Sequence, residues 1–295
     1  MNRIAVLGSA NMDLVVRQPR RVDPGETIFG SSFRTGPGGK GLNQAVAAAR
    51  AGAAVDFIGA IGADDFGVRL RAWLQQEGVG TTRLRIVDDA TGIAQITVTG
   101  DGENSIVVVP GANGRSILDD ADRDVIGAAS HLVVQLERPL ALVREALAFA
   151  RSRGVTTIVT PAPARDGLDE IVGLADLLVP NEGEAALLSG EPDAERAAIA
   201  LSRRTGTVVL TRGRHGALVA KHGALVRSVE ARPAEPIDTT GAGDTFTGVL
   251  VARLAAGDEL DRALDAATVA AAIAVSRHGA AEAMPTAAEI ASELA

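Results

Sequence analysis

Residues 238–246 read Asp238-Thr239-Thr240-Gly241-Ala242-Gly243-Asp244-Thr245-Phe246. Downstream, Phe246, Val249, Leu250 and Leu254 recur on one face of a helix, so the spacing predicts a helix over Asp244–Ala256. The small residues at 241–243 leave the first-turn amides of that helix bare. Bare amides at a helix N-terminus attract an anion such as a phosphoryl group. Asp244 lies beside them and reads in two ways. It is either a helix-capping carboxylate or a base that takes a hydroxyl proton as a phosphoryl group is transferred. A Gly-Ala-Gly run serves capping poorly and ligand approach well, which favours the base.

Working outward, a second helix is predicted at Leu260–Val275. Upstream, Leu132–Leu136, Thr156–Val159, Leu177–Val179 and Val208–Leu210 read as strands separated by helical stretches such as Leu140–Ala150. Nearer the start, Ile4–Leu7 and Val55–Ile61 are strands, Leu42–Ala51 is a helix closed by Gly52, and Phe66–Gln76 is a helix. Ala217–Ala220 and Ala224–Val229 read as a late hairpin around His222-Gly223. This alternation predicts an α/β fold with a central, mostly parallel sheet flanked by helices. Ligands in such a fold sit beyond the C-terminal strand ends. Segments 14–35 and 91–109 break the alternation. The first holds Pro19, Pro24 and Gly25; the second is a hairpin, Ile93–Thr99 and Ile106–Val109 around Gly100–Asn104. They are expected to pair as a small separate sheet inserted into one domain, 1–295.

Composition narrows the function. The chain has 295 residues, 29 Lys+Arg against 37 Asp+Glu, a net charge of −8 and 33 Gly. Cys is absent, so a disulfide framework, a zinc-thiolate site and a thiol nucleophile are excluded. The acidic balance and the few aromatics, six Phe and one Trp, argue against nucleic-acid partners. No apolar stretch approaches the ~20 residues that span a bilayer, and the first apolar run is too short for a signal peptide. A cytoplasmic protein acting on small molecules, with no membrane partner, is expected. Lysine occurs only at Lys40 and Lys221.

Lys40 falls within Gly36-Pro37-Gly38-Gly39-Lys40-Gly41-Leu42-Asn43-Gln44-Ala45. Gly36, Gly38 and Gly41 match G-x-G-x-x-G, but no buried strand precedes them and Pro37 is read as part of the turn, so the dinucleotide fingerprint fails. A Walker A loop fails as well, because Gly41 follows Lys40. A flexible loop leading into a helix remains one reading. The preferred one is a binding loop, where glycines admit a ligand and Lys40 and Asn43 contact it. After the strand at Leu177–Val179, Asn181 and Glu184 lie three apart on one helical face. Their oxygens suit Mg²⁺, but on these residues alone an ordinary N-cap with a first-turn acid is the favoured reading. Thr211-Arg212-Gly213-Arg214-His215-Gly216 reads as a nucleotide-facing loop or a plain turn.

Together these segments are more specific than any one. The chain resembles, collinearly and over its full length, the ribokinase-like (PfkB-type) family of carbohydrate kinases. Gly38-Gly39-Lys40-Gly41-x-Asn43-Gln44-Ala45 is similar to its first signature and residues 238–246 to its second. Asn11-x-Asp13, Gln135-Leu136-Glu137, Pro161-Ala162-Pro163-Ala164 and Pro180-Asn181-Glu182-x-Glu184 follow in family order. The resemblance implies an ATP-dependent kinase acting on the primary 5-hydroxyl of D-ribose. Asn11, Asp13, Gly39, Lys40, Asn43 and Glu137 would hold the sugar, Asp244 would be the base, and the amides of Gly241, Ala242 and Gly243 the anion hole. Asn181 and Glu184 would support Mg²⁺ and the ATP phosphates. Thr211, Gly213, Gly216, Gly243 and Thr268 would line the nucleotide site. Asp238 and Thr240, with backbone near Ala274, Arg277, Gly279 and Ala283, would bind an activating K⁺; Ala283 stands where members often carry Ser. Segments 14–35 and 91–109 would form a lid over the sugar and a homodimer contact. Another small sugar (2-deoxyribose, a ketohexose), a nucleoside, or a non-catalytic sugar- or nucleotide-binding regulator are the competing readings. The few aromatics disfavour a purine, and an intact Asp244 disfavours the regulator.

Overall fold

Ile4, Ala5, Val6 and Leu7 are excluded from solvent because their strand, β1 (Arg3–Leu7), lies inside a sheet covered on both faces. The computed structural model describes residues 3–115 and 118–294. In chain order, β2 is Asn11–Arg17, β3 Ser32–Gly38, α1 Lys40–Arg50, β4 Ala54–Gly62, α2 Asp65–Gln76, β5 Gly80–Val87, β6 Gly92–Val98 and β7 Asn104–Val109. Then come α3 Asp120–Ala128, β8 His131–Val134, α4 Leu140–Ser152, β9 Thr156–Val159, α5 Asp169–Gly173, β10 Leu177–Leu178, α6 Glu182–Ser189 and α7 Ala194–Leu201. The chain continues with β11 Thr207–Thr211, β12 Ala217–Lys221, β13 Ala224–Val229, α8 Ala242–Ala255, α9 Leu260–Val275 and α10 Ala287–Leu294.

The main sheet runs β13-β12-β11-β10-β9-β8-β1-β4-β5. All neighbours from β11 to β5 are parallel, and β12 and β13 close one edge antiparallel. Alternate residues of β1 feed opposite cores: Ile4 and Val6 pack with α1, α8 and α9, whereas Ala5 and Leu7 pack with α3 and α4. On the first face α1 and α8 cross closely at Gly248. A Cβ there would lie 2.5 Å from the Ala47 Cβ and 2.6 Å from the Gln44 carbonyl oxygen.

The second sheet, order β3-β2-β6-β7, bears out the separate small sheet. β6 and β7 fall within segment 91–109, whereas β2 and β3 reach beyond segment 14–35 toward the body: their pairing continues to Asn11↔Gly38. Gly36, Pro37 and Gly38 are therefore strand rather than turn. Pro37 is tolerated because β3 is an edge strand, where the missing N–H leaves no ladder bond unmade. Val15, Ala94 and Ile96 form a small apolar cluster of this sheet. β5, which the apolar pattern did not predict, is the opposite edge of the main sheet. Its Arg83 and Arg85 pair with Asp122, whose side chain is fully buried, so charge replaces the apolar run. Among the described residues no helix is long and apolar enough to cross a membrane.

Candidate active site

Beyond Leu7 the chain passes under the start of α1 with backbone against backbone. A Cβ on Gly41 would lie 2.5 Å from the Gly8 Cα, and one on Gly39 (φ +92°) 2.9 Å from the Asn11 nitrogen. Only glycine fits both. Gly39 has no side chain with which to cap α1. Glu137, just past β8, supplies the cap instead: its Oε2 accepts the Lys40 amide at 3.1 Å and the Ser9 hydroxyl. Glu137 is thus a helix cap as well as an expected sugar ligand.

Asn11 is buried, and its Oδ1 accepts from Asn113 Nδ2 at 2.7 Å. Asn113 also accepts from the Ala10 amide at 3.1 Å and donates to the Ala10 carbonyl at 3.0 Å. Sequence reasoning missed Asn113, which sits in a single 3₁₀ turn, Gly111–Gly114, with no periodicity to flag it.

Asp244 is the third residue of α8 and caps nothing. Gly241, in the left-handed conformation (φ +76°), occupies the cap position. The buried Asp244 carboxylate accepts from two side chains of α1, at Oδ2 from Asn43 Nδ2 (3.0 Å) and at Oδ1 from Gln44 Nε2 (2.9 Å). The amide of Ala242 donates to the Thr239 carbonyl at 3.3 Å, so it is not wholly bare as expected. Those of Gly241 and Gly243 meet no acceptor among the described residues. A Cβ on Gly243 would meet nothing within 4 Å, so this turn faces open space.

Charges converge here. Burial, followed by the repulsion of Glu137, raises the Asp13 carboxyl to about 7, with Arg34 opposing. Lys40 is held above its ordinary value by Asp244 first and also by Glu137 and Glu184. Burial raises the Glu184 carboxyl, against the hydrogen bond from the Asn181 amide and the charge of Lys40. A cleft of ≈ 270 Å³ between the second sheet and the body is lined by Asp13, Val15, Arg34, Gly36, Asp238 and Glu282, among others.

Asn181 and Glu184 bond each other. Asn181 Oδ1 accepts the Glu184 amide (2.8 Å) and Glu184 Oε2 accepts the Asn181 amide (2.9 Å), a reciprocal cap on α6. Asn181 bridges to Thr211, which brings the ends of β10 and β11 together. Gly213 (φ +52°) and Gly216 (φ +79°) bound the 3₁₀ turn Gly213–His215. Thr268 Oγ1 donates within α9 to the Leu264 carbonyl at 2.8 Å, so its hydroxyl is already engaged.

Asp238 joins two segments. Its carboxylate accepts the Thr240 amide (3.0 Å) and the Gly279 amide (3.1 Å), while the amides of Ile237 and Asp238 both donate to the Val275 carbonyl. Ala274, Arg277, Gly279 and Ala283 therefore lie on the segment tied to Asp238. A carboxylate with nearby backbone carbonyls is a donor set that suits a monovalent cation. Ala283 is buried and adds no side-chain oxygen. Among the described residues no cluster of three or more acidic or His side chains suits a divalent metal.

Residues 1–287 match the pfkB family carbohydrate kinase profile. The chain is 39% identical over 292 residues to the ribokinase of Haemophilus influenzae, covering 96% of this chain and 95% of that one. It superposes on the Thermotoga maritima ribokinase with a TM-score of 0.93 at 32% identity, covering 100% of this chain and 99% of that one. An Arabidopsis thaliana ribokinase complexed with ribose and ATP aligns at TM-score 0.92 and 30% identity, with 99% and 98% covered.

Proposed function

The chain belongs to the pfkB family of carbohydrate kinases, and on that premise we propose that it transfers the γ-phosphoryl group of ATP to the primary 5-hydroxyl of D-ribose. The products are ribose 5-phosphate and ADP. The observation that carries this reading is the Asp244 carboxylate, held between Asn43 and Gln44 in the first turn of α8 beside free amides.

In this reading Asp244 accepts the hydroxyl proton as the sugar oxygen bonds to the γ-phosphorus and the bond to the ADP oxygen breaks. The amides of Gly241 and Gly243 stabilise the charge on the transferring group, and Ala242 contributes less because Thr239 shares its amide. Asn11, Asp13, Gly39, Lys40, Asn43 and Glu137 surround the sugar. The acids accept from hydroxyls, and Asn43 Oδ1, buried without a donor, is free to accept another. Thr211, Gly213 and Gly216 flank the adenosine of ATP, with Thr268 contributing its surface.

Mg²⁺ would neutralise the ATP phosphates. Asn181 and Glu184 would support it from α6. K⁺ would sit at Asp238, Thr240 and the 274–283 backbone, where it would draw oxygens of the two segments that Asp238 joins toward one point and so fix the turn that leads into α8. The second sheet serves as lid and as the contact of a homodimer in the cytoplasm. Lid closure keeps water from competing for the phosphoryl group.

The test is ADP release measured with ribose, 2-deoxyribose, fructose and nucleosides, with and without K⁺. Ribose should give the highest kcat/KM, and K⁺ should raise it. No turnover on any sugar would overturn the kinase assignment in favour of a binding protein.

A further inference from the structure

We propose that Gln44 and Gln135 are positioning residues. They form a chain of carboxamide hydrogen bonds that fixes the orientation of the Asp244 carboxylate. Gln135, just past the C-terminal end of β8, donates through Nε2 to Gln44 Oε1 at 2.7 Å. Gln44, in the first turns of α1, donates through Nε2 to Asp244 Oδ1 at 2.9 Å and lies 3.3 Å from the Thr160 hydroxyl. Gln44 and Gln135 are each 1% exposed, so both act from behind the carboxylate rather than on a ligand.

The chain has a direction. A carboxamide has one accepting end and one donating end. With Gln44 Oε1 filled by the Gln135 amide group, Nε2 is the end turned to Asp244. Reversing Gln44 would set an oxygen against the carboxylate and an amide group against another amide group. Gln135 therefore decides which end of Gln44 meets Asp244. Its own Oε1 stays buried without a donor, an unfavourable arrangement tolerated in keeping its amide group on Gln44. Asn43 grips the other carboxylate oxygen from the adjacent position of α1. Held from both sides, the carboxylate is restrained from rotating, and the lone pair that must meet the sugar hydroxyl stays aimed.

The inference rests on Asp244 acting as the base, so wild type and Asp244→Asn are assayed beside the new variants. Gln44→Leu should lower kcat roughly 10- to 100-fold with ribose KM within about threefold, since a hydrogen bond to a charged group is lost but the sugar contacts remain. Gln135→Leu should lower kcat less, and the double variant should be no worse than Gln44→Leu, as expected of links in one chain. Gln44→Glu keeps the shape and the acceptor for Gln135 but replaces the donor. Its activity relative to wild type should rise as pH falls, because the protonated carboxyl again donates. A wild-type kcat in Gln44→Leu, a loss wholly in KM, or a pH-independent ratio for Gln44→Glu would overturn the chain. Should Gln44→Leu fail to fold, Gln135→Leu and Gln44→Glu decide. An active wild type, an inert Asp244→Asn and a normal Gln44→Leu remove the positioning chain alone. Wild-type turnover in Asp244→Asn removes the base and the chain together.

Discussion

Asp13 shows how a single side chain couples binding to stability. Its carboxyl is raised to about 7 because it is buried and lies near Glu137, Asp244 and Glu282, with Arg34 opposing. A carboxyl whose folded value is raised contributes stability below its unfolded value and loses it as pH climbs through about 7. Asp13→Asn should therefore raise the melting temperature at pH 8 by a few degrees in calorimetry while weakening ribose binding. In wild type, ribose affinity should fall below pH 7 as the carboxyl takes a proton, and this dependence should vanish in the variant. Lys40 shares Asp244 and Glu137 with Asp13, so Lys40→Ala should weaken sugar binding more than ATP binding in titration calorimetry; equal losses would remove it from the sugar site. For the base, Asp244→Asn should lower kcat by about two orders of magnitude or more with a modest change in ribose KM. Asp244 was legible in the sequence because a helix start is a local feature. Asn113 was not, because its partners Ala10 and Asn11 lie about a hundred positions away in the chain.

At the scale of elements, the crossing of α1 and α8 builds the centre, and two glycines of α8 do opposite work. Gly248 is small because α1 passes against it. Gly248→Ala would press Ala47 and the Gln44 carbonyl, at about 1–3 kcal/mol of overpacking. It should lower the melting temperature and kcat together, because Gln44 moves with α1. Gly243 faces open space. Gly243→Ala should leave thermal stability unchanged or higher, as alanine favours a helix by about 0.5–1 kcal/mol. The same variant should impair ATP use, because the methyl enters the space proposed for the phosphates. A Gly243→Ala enzyme with normal ATP kinetics would put the phosphates elsewhere. α8 could be read from its apolar period and α1 from its alanines and the closing Gly52, whereas their near contact could not. Period reports which face is buried and is silent on what it is buried against.

For the whole molecule, the second sheet leaves a free edge. Every residue of β7 is exposed, and Ile106, Val107, Val108 and Val109 present apolar surface there. Phe33, on β3 of the same sheet, and Phe29, on the segment leading into it, are exposed as well. A long apolar edge strand invites pairing, which supports the proposed lid dimer. Val107→Lys should convert the dimer to monomer in sedimentation velocity runs, and a wild-type chain that sediments as a monomer would end the proposal.

By itself the sequence determined the alternating α/β order, the existence of a separate small sheet and the glycine-rich turn that opens α8. Each is written in a period of two or 3.6 residues or in the conformational freedom of glycine, so each is decided within a few neighbours. The edge strand β5 escaped that reading because Arg83 and Arg85 stand where apolar residues mark other strands. Tertiary structure alone decided that Glu137 caps α1, that Asn113 holds Asn11, and that Gln135, Gln44 and Asp244 form one line. Those bonds join residues brought together by the order of strands in the sheet. A hydrogen bond reaches about 3 Å whatever the separation along the chain, so no local pattern announces it.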